Sequence, residues 1–145
     1  MKKHNLISVP LKILKIQNDG VHLLINAKLN GKIARLVVDT GASRTVLDKN
    51  RIQRFVKKKK FKKHEAVSTG LGTNSMESHI VNIKKFEIGK NNFGNFEFVL
   101  LDLSHVNNSY LQIGMKKIDG VLGGDILEKH KAVIDYEKKK LYLKE

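Results

Sequence analysis

The sequence contains 145 residues, a length that predicts one domain over residues 1–145. A hydrophobic content of 41% and a single proline argue against a disordered chain, and the absence of cysteine excludes disulfides, thiolate metal sites and a cysteine nucleophile. The 28 Lys and Arg residues against 14 Asp and Glu residues give a formal net charge of +14, which raises nucleic acid or a membrane surface as a partner hypothesis.

Alternating hydrophobicity predicts a hairpin in the first third of the chain. From Val21 to Leu29, apolar and polar residues alternate with a period of two, as in a half-buried strand. Asn30-Gly31 favours a type I′ turn, since both central residues of that turn have positive φ. The predicted returning strand runs from Lys32 to Val38. It ends at a small-residue segment suited to a tight loop, Asp39-Thr40-Gly41-Ala42-Ser43.

The middle of the chain is predicted to hold a short strand, a short helix and a long hairpin. Thr45 to Leu47 is typical of a strand, and Asp48 is a candidate N-cap for a helix that ends near Phe55. A lysine-rich segment follows at residues 57–63. After it, two extended segments of a predicted hairpin flank Gly70-Leu71-Gly72. The glycines and the polar residues after them predict a mobile flap over about Val67 to Ile80.

The last third alternates apolar strands with glycine-rich connections. Phe96 to Leu103 is a predicted buried strand, whereas Ser104 to Lys117 is expected to form a loop. Val121-Leu122 stands between glycines, and Ile126 to His130 is predicted to form one or two helical turns. A final hairpin is expected over Ala132 to Leu143.

The segment Asp39-Thr40-Gly41 suggests a chemistry that needs two carboxylates. Two carboxyl groups held close together share one proton, so the ionised group can activate water while the protonated group polarises a peptide carbonyl. Asp39 is the only aspartate that is followed by a hydroxyl residue and a glycine, and the sequence shows no internal repeat. A pair of such carboxylates therefore requires a second copy of the chain in a two-fold symmetric dimer.

Three segments, in order along the chain, resemble a known family. Leu36 to Ser43 resembles the active-site strand and loop of the retropepsin-like, or retroviral-type, single-domain aspartic proteases. Gly70-Leu71-Gly72 lies where the flap of that family is expected. Val121-Leu122-Gly123 is similar to the family's hydrophobic-hydrophobic-Gly segment, and Gly124 to Leu127 resembles the helix start of its bacterial and eukaryotic members. The resemblance extends from about residue 20 to the C-terminus and leans toward the bacterial branch.

The resemblance implies an all-β, closed-barrel-like fold with one or two short helices, assembled as a homodimer. Asp39 would be the catalytic aspartate, and the hydroxyl of Thr40 would bond across the two-fold axis to the opposite loop. Gly41 would contact the substrate through its backbone carbonyl, and Ala42 matches the retroviral form of the loop. An extended peptide would be the substrate, and no cofactor is implied.

The match departs from the retroviral pattern at two positions. Retroviral members usually carry Asp after the active-site Ala and Arg after the hydrophobic-hydrophobic-Gly segment, and these two groups form an ion pair in their dimer. This sequence has Ser43 and Gly124 instead. The dimer is therefore expected to be stabilised by other contacts.

The same fold also admits a function without catalysis. A dimeric binding module could use the basic surface for an acidic partner or nucleic acid. The lysine runs lack interleaved aromatic residues, so nucleic acid is disfavoured as a partner, and the six histidines show no metal-ligand spacing. A secretory signal needs an unbroken apolar stretch near the N-terminus, and Pro10 and Lys12 interrupt the one in this sequence. No apolar run is long enough to span a membrane. We therefore expect a cytoplasmic location without membrane contact.

Overall fold

The computed structural model describes residues 6–16, 20–63 and 78–145. In this part of the chain, eleven strands, two α-helices and one single-turn 3-10 helix form. In chain order they are β1 Leu6–Pro10, β2 Lys12–Ile16, β3 Gly20–Leu29, β4 Lys32–Val38, β5 Val46–Asp48, the 3-10 helix Ile52–Arg54, β6 Lys62–Lys63, β7 His79–Ile88, β8 Asn91–Leu101, α1 Ser104–Gln112, β9 Gly120–Leu122, α2 Gly124–Lys129, β10 Val133–Asp135 and β11 Lys140–Lys144.

Six strands close into a barrel. Their order is β3-β4-β9-β5-β8-β7, and β7 pairs back onto β3 at Lys28 with Glu87 and at Leu29 with Phe86. Strands β2 and β6 extend this sheet at its two ends, while β1, β11 and β10 form a separate three-stranded sheet. Closure pairs β3 with β7, the two strands that an open six-stranded sheet would leave at its edges. The predicted all-β, closed-barrel fold with short helices is confirmed.

The first hairpin forms as its sequence predicts. Strands β3 and β4 pair antiparallel through Leu29 and Lys32, and both turn residues have positive φ, at 51° for Asn30 and 82° for Gly31. Val21 departs from the predicted apolar face, because this end of β3 pairs only with β2 and leaves the side chain 44% exposed.

The barrel interior forms one continuous hydrophobic core. Alternate residues of the strands point inward, except where an irregularity in β7 breaks the alternation between Ile83 and Phe86. Phe86 packs edge to face against Phe98 with 5.0 Å between ring centroids. Each fully buried side chain of this size contributes about 1.5 to 3 kcal/mol relative to an exposed one. The inward-facing residues of β4 are Ala34, Leu36 and Val38. This packing sets the position at which β4 ends and its following loop begins.

Helix α1 is a correction to the sequence prediction, which placed a loop over Ser104 to Lys117. Asn and Ser residues make the segment a weak helix former, so its stability comes from tertiary contacts. Tyr110 is buried against Leu24 and Ile118 on the outer face of the barrel. Asn107 donates from Nδ2 to Asp48 Oδ2 at 3.0 Å and accepts from Ile118 N at 2.7 Å. Helix α1 thereby covers an outer face that strand periodicity alone assigns to solvent.

The prediction that Asp48 is a helix N-cap is wrong. It ends β5, and the helical residues that follow are only the single 3-10 turn, whose cap is Arg51 without a side-chain bond. The Asp48 carboxylate is buried and accepts hydrogen bonds from the backbone of Asn50 and Leu103. Its role is to join the end of β5 to the start of α1.

Asp119, the residue before β9, connects three segments through a buried carboxylate. It is 3% exposed, accepts from Arg51 Nε at 2.8 Å and from the backbone of Arg35 at 2.8 Å, and also binds the guanidinium of Arg54. These contacts fix the start of β9 against β4 and the segment that follows β5.

Replacing Asp119 with Asn is expected to lower the free energy of unfolding by about 2 kcal/mol, because it leaves two guanidinium groups without their anion. Arg54 is about half exposed and can reach water, which keeps the loss below that of a fully buried pair. Urea unfolding of the variant measures this change. Glu128→Gln serves as the control, since it removes only a surface ion pair with Lys131, and an equal loss in both variants would contradict the prediction.

No helix formed by residues 6–16, 20–63 and 78–145 is long and apolar enough to cross a membrane.

Candidate active site

The loop over residues 39–45 joins β4 to β5 and passes around the end of β9. Strand β9 lies between these two strands, parallel to β4 and antiparallel to β5. The amide of Asp39 donates to Leu122 O at 3.0 Å, and the amide of Gly124 donates to Ala42 O at 2.6 Å. The structure thus brings the two distant segments singled out in the sequence, Asp39 to Ala42 and Val121 to Gly123, into direct contact.

Gly123 allows this contact because it has no side chain. A Cβ atom at this position would lie 2.8 Å from Ala42 O and 2.8 Å from both the carbonyl carbon and oxygen of Arg44. Its φ of −106° is ordinary extended backbone, so the requirement for glycine is steric. Gly120 is similarly confined, because a Cβ atom there would overlap Val46 O. The two glycines permit the loop and β5 to close tightly around β9.

The Asp39 carboxylate lies on the surface of the single chain. Its Oδ1 accepts a hydrogen bond from Gly41 N at 2.9 Å, and its backbone carbonyl accepts from Ala42 N at 3.2 Å. In the part of the chain that the structure describes, Oδ2 has no hydrogen-bond partner. The side chain is therefore held in orientation by its own loop and keeps one oxygen available.

Thr40 and Ser43 are also exposed. Neither hydroxyl has a hydrogen-bond partner among the described residues. A hydroxyl on this exposed loop is free to bond to another molecule, and the role of Thr40 across a two-fold axis stays a prediction.

Thr45 and Asp125 connect the loop to α2 by hydrogen bonds. The sequence analysis assigned neither residue a role. Thr45 is 1% exposed; its amide and hydroxyl both donate to the Asp125 carboxylate, at 3.0 and 2.7 Å. The same hydroxyl oxygen accepts from Gly123 N at 2.9 Å. An acidic residue in the first turn of a helix is a recognisable signal, but its partner 80 residues earlier is evident only in three dimensions.

The hydrogen bonds between Thr45 and Asp125 join the loop to α2 within one chain. Arg44 Nε also lies 3.8 Å from Asp125 Oδ2, but Arg44 is 51% exposed and the distance is long, so this ion pair contributes little.

The predicted flap residues Gly70, Leu71 and Gly72 lie outside the described residues. The strands that flank the segment are described: Lys62 pairs with Ile80 and Lys63 with His79, antiparallel. Residues 64–77 connect β6 to β7, and the flap assigned to this segment stays a prediction.

Metal chemistry has no support among the described residues. No group of three or more His, Asp or Glu side chains within residues 6–16, 20–63 and 78–145 is placed to hold a metal ion.

Comparison with known proteins gives a family and a fold. A family model described as aspartyl protease matches residues 25–126, which include the Asp39 loop and β9. No sequence among the curated proteins is significantly similar. Among solved structures, the chain is similar to a retropepsin-like aspartic protease from Rickettsia conorii, with 24% identity, a TM-score of 0.59 and coverage of 98% of this chain and 92% of that chain.

Two further structures extend the likeness. The retroviral protease-like domain of Ddi1 from Leishmania major is 16% identical, with a TM-score of 0.59 and coverage of 84% of this chain and 87% of that chain. The EIAV protease complexed with the inhibitor HBY-793 is 17% identical, with a TM-score of 0.54 and coverage of 77% of this chain and 90% of that chain. At these identities the likeness establishes the fold. The resemblance drawn from the sequence is confirmed.

Proposed function

The chain belongs to the aspartyl protease family, and from this premise we propose that it is an aspartic endopeptidase that is active as a homodimer. One observation carries the proposal: the exposed loop at the end of β4 presents a single oriented carboxylate, Asp39, with one oxygen unused. Aspartic protease chemistry needs two such carboxylates, and a second copy related by two-fold symmetry supplies the other.

In the proposed dimer, Asp39 and the partner subunit's Asp39 share one proton. Two carboxylates about 3 Å apart cannot both ionise, so one stays protonated, as is known for aspartic protease pairs. The ionised oxygen takes a proton from a water molecule as the water attacks the peptide carbon, and the protonated carboxyl donates toward the carbonyl oxygen. The C–N bond then breaks as the proton taken from water passes to the amine nitrogen, and the carbonyl re-forms as the other proton returns to the carboxylate pair, which again holds one shared proton.

The remaining loop residues have proposed supporting roles. The Gly41 amide orients Asp39 through its 2.9 Å hydrogen bond, and the free hydroxyl of Thr40 bonds to the opposite loop across the two-fold axis. Val121, Leu122 and Gly123 hold the loop in place from β9. Catalytic groups need this kind of rigid support, since small displacements are costly to rate.

The proposed substrate is an extended peptide. It binds as an added strand between the loop floor and the flap, so that main-chain hydrogen bonds supply much of the affinity. Gly70, Leu71 and Gly72 form the tip of the proposed flap, with Leu71 shielding the scissile bond from water. No cofactor takes part in this mechanism.

Membership of the aspartyl protease family favours hydrolysis over a non-catalytic binding module. Peptide cleavage is therefore the activity to test first.

Dilution is expected to lower the specific activity of the protein, because the proposed site assembles by mass action. Below the dimer dissociation constant the rate should fall with the square of the protein concentration, so a tenfold dilution lowers specific activity by about tenfold. Initial rates on a quenched fluorescent peptide are measured alongside sedimentation velocity at the same concentrations. Specific activity that stays constant where only monomer sediments would contradict the dimeric site.

A further inference from the structure

A shallow cleft lies on the outer face of the barrel, where β2 begins beside β3 and β4. Its volume is about 290 Å³. Lys12, Asn26 and Arg35 provide its polar lining, and Pro10 and Leu24 contribute to its apolar wall. The lining includes two cations and no acidic residue. Since Ala34, Leu36 and Val38 point into the core from β4, Arg35 projects from the opposite face of this strand.

Arg35, which lines the cleft, also has an unsatisfied polar atom. Its Nε is buried and has no hydrogen-bond partner in the part of the chain that the structure describes. The Asp119 carboxylate does not neutralise the Arg35 side chain. Its Oδ2 accepts a hydrogen bond from the Arg35 backbone amide, and its Oδ1 binds the guanidinium groups of Arg51 and Arg54. A buried donor without an acceptor is unfavourable, so the guanidinium gains from a ligand that supplies an acceptor to it.

The strand register places the polar groups around one point. Asn26 lies directly opposite Arg35, and Lys12 lies directly opposite Leu24, two residues from Asn26 on the same face of β3. With strands about 4.8 Å apart and a rise of about 3.3 Å per residue, the Cα atoms of Lys12 and Arg35 are roughly 12 Å apart across β3. Both side chains are long enough to reach a single group between them.

We propose that this cleft binds the oxyanion group of a small molecule, either a carboxylate or a phosphate. The Arg35 guanidinium supplies a planar fork for two oxygens, Lys12 supplies a second positive charge and Asn26 an amide donor. Two cations favour an anion over water at this point. The small volume and the apolar wall suit a compact organic anion.

The test is a calorimetric titration of the intact protein with inorganic phosphate and, separately, with sodium butyrate, at constant ionic strength and pH. We expect saturable binding of at least one anion, at least tenfold weaker in Arg35→Gln. Lys32→Gln, an exposed charge-matched change on the same strand, should alter the dissociation constant less than twofold. Tighter binding of phosphate identifies a phosphate site, and tighter binding of butyrate a carboxylate site.

A second variant keeps the test decisive if Arg35→Gln does not fold. Lys12 is exposed, so Lys12→Gln should fold normally and weaken binding by at least threefold. Absence of saturable binding of either anion to the parent protein would overturn the proposal. Binding that is equally strong in Lys12→Gln and Lys32→Gln, and in Arg35→Gln where it folds, would overturn it as well. Peptide cleavage plays no part in this readout, so its outcome is independent of the proposed protease function.

Discussion

Replacing Asp39 with Asn is expected to lower peptide hydrolysis by about 10³ to 10⁴-fold while leaving the fold intact. The amide has nearly the same shape but cannot accept a proton from water, so the pair loses its general base. The folded chain tolerates the change because residue 39 is exposed and the Asn Oδ1 can still accept the hydrogen bond from Gly41 N. Cleavage of a quenched fluorescent peptide measures the activity, and thermal unfolding measures the fold.

Asp102→Asn is a suitable control for this experiment. Asp102 is also exposed and also follows a strand, and its Oδ1 accepts from Ser104 N and from Asn50 Nδ2. Hydrogen bonds from Ser104 and Asn50 hold the pKa of the Asp102 carboxyl below its ordinary value. Full activity in the Asp102 variant and loss in the Asp39 variant supports the assignment, whereas full activity in both rules it out.

Mixing the two forms of the chain separates a shared site from a site within one chain. Excess Asp39→Asn protein should reduce the activity of a fixed amount of the parent protein, because each mixed dimer holds only one Asp39 carboxylate. A site contained in one chain would retain its activity in the mixture.

Replacing Gly123 with Ala is expected to lower the free energy of unfolding by about 1 to 3 kcal/mol. The new Cβ would lie 2.8 Å from three backbone atoms of the 39–45 loop, and backbone cannot move aside as a flexible side chain can. The loop must shift, which also displaces Asp39. We expect peptide turnover to fall by about 100-fold through this misplacement.

The neighbouring glycine offers a matched comparison. At Gly124 a Cβ atom would lie 3.3 Å from Ala42 O, a tight but less severe contact, and alanine is favourable in the helix that begins there. Gly124→Ala should therefore cost less than half as much stability as Gly123→Ala and retain more activity. Chemical unfolding and turnover of the two variants are measured together; equal effects would show that the 2.8 Å contacts are not the cause.

Local chemistry made much of the barrel predictable. The period-two pattern of Val21 to Leu29 and the Asn30-Gly31 turn act between neighbouring residues, so the first hairpin can be derived without knowledge of the rest of the chain. The Asp39 loop and the Val121-Leu122-Gly123 segment were identified from their residues and their order. Their roles in catalysis remain a prediction for the experiments above.

Long-range contacts decided the features that the sequence analysis missed. Strand β1 forms by pairing with β11, whose residues are 130 or more positions away, and α1 is helical because Asn107 and Tyr110 find buried partners on other elements. Asp48 has a local pattern that favours an N-cap, but its carboxylate is instead used by α1. In each case a tertiary hydrogen bond or buried surface outweighed a weak local preference.

By itself, the sequence determined the strand periodicity, the hairpin turn and the presence of one Asp-Thr-Gly segment, because each depends on residues adjacent in the chain. Only the tertiary structure decided that Gly123 must lack a side chain, that Thr45 and Asp125 support the Asp39 loop, and that Arg35 lines a cleft without a carboxylate partner among the described residues. The physical reason is that steric contact and hydrogen-bond satisfaction depend on distances between atoms. Folding brings into contact groups that are about 80 residues apart in the chain, and no local sequence pattern predicts these contacts.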